Sequence, residues 1–256
     1  MINSTCAFET QKPHCIVIIF AGGTGSRMGT RDVPKQFMGI AGKPLLVYTL
    51  ELFQKHTEVD DIYVATLKTH IEHVNELVST FGLTKVRKVV LGGDTAHASI
   101  ICALRAAVED DQPDDAVALI HDGVRPIVPM TLISRNIRET VATGSSITCI
   151  PAYETVCRSE DGALADEVLD RNHMYILQAP QCFRLGHVWR INKRAIADRR
   201  VGTFVDMANM MNKYGERVNL TPGIRGNVKI TVRQDFEYFG YLVSTAKYTD
   251  IVGMQL

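Results

Sequence analysis

The chain has 256 residues, a length that accommodates one α/β domain with an additional segment, or two small domains. It carries 28 lysines and arginines against 28 aspartates and glutamates, so its formal net charge is zero. This balance excludes the broad positive field that attracts nucleic acids or anionic membrane surfaces, and neither is expected as a partner.

The first residues do not predict export or membrane insertion. Residues 1–14 lack the basic and then apolar pattern of a signal peptide, and no apolar run in the sequence is long enough to span a membrane. The six cysteines form no C-x-x-C pair, which favours reduced thiols over a disulfide framework. We therefore expect a polar extension at residues 1–14, a single domain over residues 15–256, and a cytoplasmic location.

A short apolar run that opens into glycines is the most informative stretch of the sequence. The β-branched run at 16–20 predicts a buried parallel strand, and the glycines after it allow the backbone to approach a ligand closely. Successive N–H groups in such a loop bind anions, and Arg27 and Lys35 add two cations beside it. The implied ligand is a polyphosphate, and the candidate nucleotide-binding residues here are Ala21, Gly22, Gly23, Thr24 and Gly25.

Two common phosphate-binding motifs do not fit this stretch. A dinucleotide fingerprint requires a further glycine three residues after Gly25, where the chain has Met28. The G-x-x-x-x-G-K-[ST] pattern of a P-loop is also missing. An ordinary strand-to-helix turn remains the structural alternative, and the Pro-Lys-Gln that includes Lys35 argues against it.

Apolar runs and helical periodicities alternate through the first half of the chain. The pattern predicts strands at 16–20, 61–66, 86–91 and 116–120, and helices at 45–56, 70–81 and 99–108. Strands that alternate with helices of this length predict βαβ units and a mostly parallel, Rossmann-like α/β sheet flanked by helices. Ligands bind such sheets beyond the carboxyl ends of the strands.

Three of the predicted strands end in loops that carry glycine or charge. The first ends in the glycine-rich loop, the third in Gly92-Gly93-Asp94, and the fourth in a loop that contains Asp122 and Arg125. We expect these loops to share one rim, which makes Gly93 and Asp94 further candidates for nucleotide binding. Asp122 is placed to coordinate Mg²⁺ or to accept hydrogen bonds from hydroxyls; the alternative is a turn residue beside a surface arginine.

The alternation changes after a helix at 130–143 and a strand at 145–151. Residues 153–181 show short extended pieces around Asp161-Gly162, a hairpin-type dipeptide, and we interpret them as a β-arm that leaves the main sheet. The remaining pattern predicts helices at 185–197, 204–214 and 234–244, with strands at 218–221 and 227–231.

Over residues 14–245 the chain resembles the cytidylyltransferases of polyol phosphates. Six ordered motifs carry this resemblance: Ala-Gly-Gly-Thr-Gly-Ser-Arg-Met, Pro-Lys-Gln-Phe, His-Asp-Gly-Val-Arg-Pro, Asp-Arg-Asn, Ala-Pro-Gln-Cys-Phe and Asn-Val-Lys-Ile-Thr. The resemblance implies a Rossmann-like domain and CTP and a polyol phosphate as substrates. It also implies a divalent cation, usually Mg²⁺, and a homodimer held together by the protruding β-arm.

The resemblance also implies roles for individual residues. Arg27 and Lys35 would stabilise the transition state at the α-phosphate of CTP. Arg171 and Lys229 would hold the phosphate of the polyol. Because an arm that leaves its own sheet must bury its apolar side chains elsewhere, we expect Arg171 to work in the active site of the partner chain. The substrate end of the site would further contain Asp122, Arg125 and Thr155, with Asp122 as the candidate metal ligand and Ser99 on the cytosine side.

The chain departs from the erythritol phosphate branch of this family in three places. Ala96 stands where that branch has arginine, Val205 where it has threonine before an aspartate, and Gly123-Val124 where it has two alanines. These departures favour D-ribitol 5-phosphate as the acceptor and leave 2-C-methyl-D-erythritol 4-phosphate as the alternative. A Rossmann oxidoreductase and a non-catalytic nucleotide-binding protein are more distant alternatives. The missing glycine argues against the first, and the presence of both Lys35 and Lys229 against the second.

Overall fold

The structure, a computed structural model, describes residues 12–22 and 33–254 of the chain. Within these residues the strands form one seven-stranded sheet and two small two-stranded sheets. The strands are β1 (Cys15–Phe20), β2 (Gly39–Ile40), β3 (Lys43–Pro44), β4 (Asp61–Thr66), β5 (Val86–Leu91), β6 (Val117–Asp122), β7 (Ser145–Pro151), β8 (Cys157–Arg158), β9 (Glu167–Val168), β10 (Tyr175–Arg184) and β11 (Leu220–Pro222).

Helices cover both faces of the seven-stranded sheet. In the described residues they are α1 (Leu45–Lys55), α2 (Ile71–Thr80), α3 (Ala96–Glu109), α4 (Met130–Thr143), α5 (Leu185–Ala197), α6 (Met207–Lys213), α7 (Arg233–Ser244) and α8 (Lys247–Val252). None of them is long and apolar enough to cross a membrane. Helix α8 is not predicted from the sequence pattern.

The seven-stranded sheet has the order β5-β4-β1-β6-β10-β7-β11. Neighbouring strands run parallel, except that β10 lies antiparallel to both β6 and β7. The predicted fold class, a mostly parallel α/β sheet flanked by helices, is confirmed.

The central position of β1 explains its sequence. Val17 and Ile19 pack in one apolar core and Ile16 and Ile18 in the other, and all four side chains are fully buried. Because both faces are covered by helices, the strand is a continuous apolar run rather than an alternating one. The first core includes α1, α2, α4, α7 and α8, and the second includes α3, α5 and α6.

One predicted strand is wrong. Residues 227–231 have the composition of a strand, but they form a loop in which Ile230 N–H donates to the carbonyl of Val124 at 2.9 Å. The neighbouring strand β6 is already paired with β1 on one side and β10 on the other. Residues 227–231 therefore find no free edge of β6 with which to pair as a strand.

The segment predicted as an arm is shorter than expected at its C-terminal end. Residues 175–181 belong to β10 and pair with β7 and β6 in the main sheet. Strands β8 and β9 form a separate two-stranded antiparallel sheet, and Gly162 in the loop between them has a φ of 75°. The part of this segment outside the main sheet therefore ends before Tyr175.

Two helices beside the rim of the sheet begin at side-chain caps. The side chain of Thr95 accepts from the N–H of Ala98, so α3 begins earlier than the predicted residue 99. The side chain of Asp206 accepts from the N–H of Asn209, so α6 begins later than the predicted residue 204.

Candidate active site

The three predicted loops meet at one rim of the sheet and line a cavity of about 320 Å³, which we call the nucleotide cavity. Its described lining residues are Phe20, Ala21, Gly22, Lys35, Gln36, Gly93, Asp94, Thr95, Ala96, Ser99, Asp122, Val124 and Lys229. The predicted convergence of these loops is confirmed. Gly23, Thr24, Gly25 and Arg27 lie outside the described residues.

Close packing, rather than an unusual backbone angle, explains the glycines after β5. Neither Gly92 nor Gly93 has a positive φ. A Cβ atom on Gly92 would lie 2.7 Å from Oγ of Ser99, and one on Gly93 would collide with Cβ of Ala98. Oγ of Ser99 accepts from the N–H of Gly93 and lies 3.2 Å from its carbonyl. Ser99 therefore fixes this loop in the wall of the cavity.

Lys35 lies in the wall of the nucleotide cavity and is buried. It begins a single turn of 3-10 helix that ends at Phe37. The neighbouring Gln36 donates from Nε2 to the carbonyl of Ala21 at 3.0 Å, in the interior of the protein. This bond ties the Pro-Lys-Gln segment to the start of the glycine-rich loop, which explains why the two motifs belong to one site.

Asp122 lies between two cations. Its Oδ1 is 2.6 Å from Nζ of Lys229, and its Oδ2 is 3.2 Å from Nε of Arg125. Asp122 and Arg125 are buried, whereas the side chain of Lys229 is 41% exposed. Burial by itself would raise the pKa of Asp122, but the charges of Arg125 and Lys229 outweigh it and lower the pKa to about 2. Asp122 is therefore an ionised group at neutral pH.

The surroundings of Asp122 do not fit a metal ligand. Both of its oxygens already contact cations, so a metal ion bound there would lie against the positive charges of Lys229 and Arg125, which would repel it. Among the described residues, no group of three or more His, Cys, Asp or Glu side chains could hold a metal ion. Asp122 instead neutralises and orients the two cations around it.

A second cavity, of about 210 Å³, adjoins the nucleotide cavity; we call it the acceptor cavity. Phe20, Ala96, Asp122 and Lys229 line both, and therefore form the wall where the two meet. The acceptor cavity is also lined by His97, Ile100, Ile120, Arg125, Leu177, Gln178, Ala179, Gln181, Phe204, Val205, Asp206 and Met207.

Two buried amides that the sequence analysis missed hold the loop of Lys229. Nε2 of Gln178 donates to the carbonyls of Ile224 and Asn227 at 3.0 and 3.1 Å. The carbonyl of Asn227 also accepts from Nη1 of Arg125 at 2.7 Å, and Nδ2 of Asn227 donates to the carbonyl of Ala179. Gln178 directly precedes the Ala-Pro-Gln motif, and Asn227 is the first residue of the Asn-Val-Lys motif. Their positions beside these two motifs are what the sequence offers for predicting them.

Thr155 and Arg171 are not brought to either cavity. Both are exposed, and neither is among the residues that line the two cavities. Arg171 begins a turn capped by Asp170, and its Nη1 donates to the carbonyl of Tyr153 at 3.3 Å. The ring of Tyr153 lies 3.9 Å from the guanidinium carbon of Arg225, on the loop that leads to Lys229.

A larger cavity of about 680 Å³ lies by α1 and α4, and none of its described lining residues belongs to the other two. His56 and Ser134 meet there, 3.2 Å apart, and the hydroxyl of Ser134 contacts the carboxylate of Glu58. Nδ1 of His56 accepts the N–H of Glu58, so the hydrogen is on Nε2, which faces the carbonyl of Met130. His56 cannot take a proton from Ser134 in this tautomer, and the cluster is structural.

Both the fold and the paired cavities are those expected of a nucleotidyltransferase, which must hold a nucleotide and an acceptor side by side. The chain belongs to the family described as 2-C-methyl-D-erythritol 4-phosphate cytidylyltransferase (IspD), which matches residues 15–244. The predicted membership of the polyol-phosphate cytidylyltransferases is thereby confirmed.

Individual relatives fall into both branches of this family. The chain is 39% identical over 239 residues to a ribitol-5-phosphate cytidylyltransferase of Streptococcus agalactiae serotype Ia, covering 93% of this chain and 99% of that protein. It is 36% identical over 219 residues to a 2-C-methyl-D-erythritol 4-phosphate cytidylyltransferase of Geotalea uraniireducens, covering 85% and 91%. The crystal structure of the Francisella tularensis enzyme of the latter kind is 28% identical, with a TM-score of 0.76 over 89% of this chain and 99% of that one.

Proposed function

We propose that the protein transfers CMP from CTP to D-ribitol 5-phosphate, with CDP-ribitol and pyrophosphate as products. The observation that carries this proposal is the shared wall of the two cavities. Lys229 and Asp122 line both, so a group held at this wall touches the contents of both cavities. A transfer between a nucleotide and an acceptor requires such a meeting point.

The choice of ribitol phosphate is supported by where the departures lie. Ala96 is on the shared wall and Val205 lines the acceptor cavity, so two of the three departures face the expected acceptor. Val205 is 87% exposed, so its side chain is accessible to an acceptor in this cavity. The 39% identity to a ribitol-5-phosphate cytidylyltransferase supports the same choice.

The chemistry needs positioning and positive charge rather than a protein nucleophile. An oxygen of the acceptor phosphate forms a bond to the α-phosphorus of CTP, while the bond from that phosphorus to the bridging oxygen of the β-phosphate breaks. Pyrophosphate leaves with the electron pair. The acceptor phosphate is largely ionised at pH 7, so no general base is required. Two anions must be brought together, and Lys35 in the nucleotide cavity and Lys229 at the shared wall offset their repulsion.

Mg²⁺ remains a predicted requirement of the reaction, and the geometry around Asp122 leaves binding through the substrate as the way to hold it. Because Asp122 is already paired with Lys229 and Arg125, we propose that the ion arrives bound to the triphosphate of CTP. Mg²⁺ commonly binds proteins through substrate phosphates while it keeps several water molecules. When bound in this way it would supply charge neutralisation at the phosphates.

We further propose that the protein is a homodimer in which the segment with β8 and β9 contacts the partner. This segment exposes several large apolar side chains: Tyr153, Val156, Leu164 and Val168. Exposed apolar side chains on a segment outside the main core are typical of an interface. Thr155 and Arg171 lie on the same segment, away from the cavities of their own chain, which supports a role in the partner's acceptor site. The unpaired thiols of the five described cysteines support a cytoplasmic location.

The test is pyrophosphate release by the purified protein with CTP or ATP and a panel of polyol phosphates. We expect the highest kcat/KM with CTP and ribitol 5-phosphate. Faster turnover with 2-C-methyl-D-erythritol 4-phosphate would overturn the choice of acceptor, and equal turnover with ATP would overturn the choice of nucleotide.

A further inference from the structure

The polar side chains of the acceptor cavity differ in how much hydrogen-bonding capacity they have left. Nε2 of His97 lies 2.9 Å from Oδ1 of Asn192, and its Nδ1 accepts the N–H of Gly202 at 3.1 Å. Gln181 donates from Nε2 to Oδ2 of Asp206 and accepts the N–H of Ala208 at Oε1. Neither His97 nor Gln181 can turn towards a ligand without losing a bond it already makes.

Asp206 has capacity to spare. In the described part of the chain, Oδ1 accepts the N–H of Asn209 at 2.8 Å and Oδ2 accepts from Gln181 at 2.9 Å. A carboxylate offers about four lone-pair sites, so each oxygen of Asp206 can accept one more hydrogen bond. None of the ion pairs formed by the described residues includes Asp206, and its side chain lines the acceptor cavity. Its position is fixed on both sides, by the start of α6 and by Gln181.

The cavity is therefore polarised. Lys229 lies at the shared wall beside Asp122, and Arg125 lines the acceptor cavity next to the same carboxylate, while Asp206 belongs to the acceptor cavity alone. The reacting phosphate must lie at the shared wall, because the α-phosphate of CTP is on the other side of it. The carbon chain of the acceptor then extends into the acceptor cavity, where a carboxylate accepts bonds from hydroxyls and repels a second phosphate.

We propose that Asp206 determines acceptor specificity by accepting hydrogen bonds from the polyol hydroxyls farthest from the phosphate. This inference rests on the proposed function and assigns the far end of its acceptor site. Phe204 and Met207 are buried apolar residues beside Asp206 in the same cavity, and Asp206 is itself half-buried, so an acceptor that lacks the distal hydroxyls forfeits the hydrogen bonds that the remaining sites of this carboxylate offer. Sites that hydrogen-bond a substrate hydroxyl discriminate against analogues that lack it.

The test compares ribitol 5-phosphate with glycerol 3-phosphate, a shorter polyol phosphate without the distal hydroxyls. The substitution is Asp206→Asn, because asparagine caps helices as well as aspartate does and keeps the start of α6. The wild-type protein should prefer ribitol 5-phosphate strongly. In the variant, kcat/KM for ribitol 5-phosphate should fall by roughly ten- to hundredfold, as for the loss of a hydrogen bond to a charged group, while the KM for CTP stays unchanged. The ratio of kcat/KM for ribitol 5-phosphate to kcat/KM for glycerol 3-phosphate should fall by the same factor.

A second variant separates specificity from folding. In Asp206→Asn the new NH₂ group would face Nε2 of Gln181, so two donors would meet and the hydrogen bond between these side chains would be lost. The double variant Asp206→Asn/Gln181→Glu restores a donor–acceptor pair and still accepts the N–H of Ala208, so its unfolding midpoint should return towards wild type. A ratio of kcat/KM values in Asp206→Asn equal to that of wild type would overturn the proposal. Absence of turnover by the wild-type protein with CTP and either acceptor would instead overturn the proposed function.

Discussion

Nζ of Lys229 lies 2.6 Å from Oδ1 of Asp122, at the wall where the two cavities meet. Asp122 comes from the end of a buried strand, whereas Lys229 lies on a loop near the C-terminus, so the pair joins the two halves of the site. A lysine on a flexible stem has little orientation of its own. The carboxylate gives the ammonium group a fixed position before substrate binds.

The first prediction concerns Asp122→Asn. The change removes the charge that holds Lys229 and leaves one more net positive charge at the wall. We expect kcat to fall by roughly ten- to a thousandfold, as for the loss of a preorganised charge contact, while the KM for the polyol phosphate stays the same or falls. The Mg²⁺ concentration for half-maximal activity should not change. A higher Mg²⁺ requirement would restore Asp122 as a metal ligand and contradict the geometry described above.

The second prediction concerns the amide that holds the loop of Lys229. Gln178→Met keeps the length of the side chain but removes both donors to the carbonyls of residues 224 and 227. Stability should fall by about 0.5–1.5 kcal/mol, because each carbonyl loses one hydrogen bond and keeps another, from Arg125 at residue 227 and from the N–H of Asn227 at residue 224. The kcat should fall as well, because Lys229 loses its fixed position. The KM for CTP should remain at the wild-type value.

Gln112→Met is the matched control for this variant. Nε2 of Gln112 also donates to two acceptors, Asp61 and Tyr63, but at a place that lines neither cavity. Its stability should fall by a similar amount while kcat remains at the wild-type value. Equal losses of activity in the two variants would show that stability, and not the position of Lys229, limits turnover.

The structure also shows which parts of the site a sequence can predict. Helix α4 and strand β7 have the predicted bounds because Gly144, whose φ of 89° ends the helix in the left-handed region, marks the boundary between them in the sequence. Residues 227–231 have a strand-like pattern too, but they could form a strand only if β6 had a free edge. Whether it has one depends on the order of the strands in the assembled sheet, which the local sequence does not contain. The bond between Gln181 and Asp206 joins residues 25 apart in sequence, and no local pattern reports it.

The glycines after β5 lie in the predicted loop, but the structural reason for glycine there differs from the one that the sequence suggests. Sequence reasoning attributes glycines in such a loop to backbone freedom and to close approach of a ligand. The structure shows that Gly93 is required because α3 packs against it, through Ala98. The residue type was predictable, but its reason lies in the contact between a loop and the helix that follows it.

The third prediction concerns acid sensitivity. His121 is fully buried, and burial lowers its pKa to about 4, although Nε2 faces the carbonyl of Arg125 at 3.0 Å. The unfolded chain, with a histidine pKa near 6.5, binds more protons than the folded one between about pH 4 and 6.5. The stability contribution of neutral His121 is therefore complete above about pH 6.5 and is lost as the pH falls towards 4.

His121→Gln provides the measurement, because glutamine keeps an Nε2 donor but does not titrate. Urea unfolding between pH 7 and 5 should show a smaller loss of stability in the variant. The difference in slope should approach 1.4 kcal/mol per pH unit, the value for one proton. The pKa values of His56 and His97 are also lowered by burial, so some acid sensitivity should remain in both proteins. Identical slopes would mean that His121 titrates normally in the folded state.

The last prediction concerns the exposed segment with β8 and β9. Arg171 lines neither cavity of its own chain, and the proposed dimer places it in the acceptor site of the partner. Arg171→Ala and Lys229→Ala homodimers should each be inactive, because every site lacks one cation. In a hybrid of the two variants, one site would keep both Arg171 and Lys229 while the other loses both. With random mixing half of the dimers are hybrid and half of their sites are intact, so activity should recover to roughly a quarter of the wild-type value. If Arg171 acted within its own chain, no combination would contain an intact site, and a hybrid dimer isolated with two different affinity tags would remain inactive.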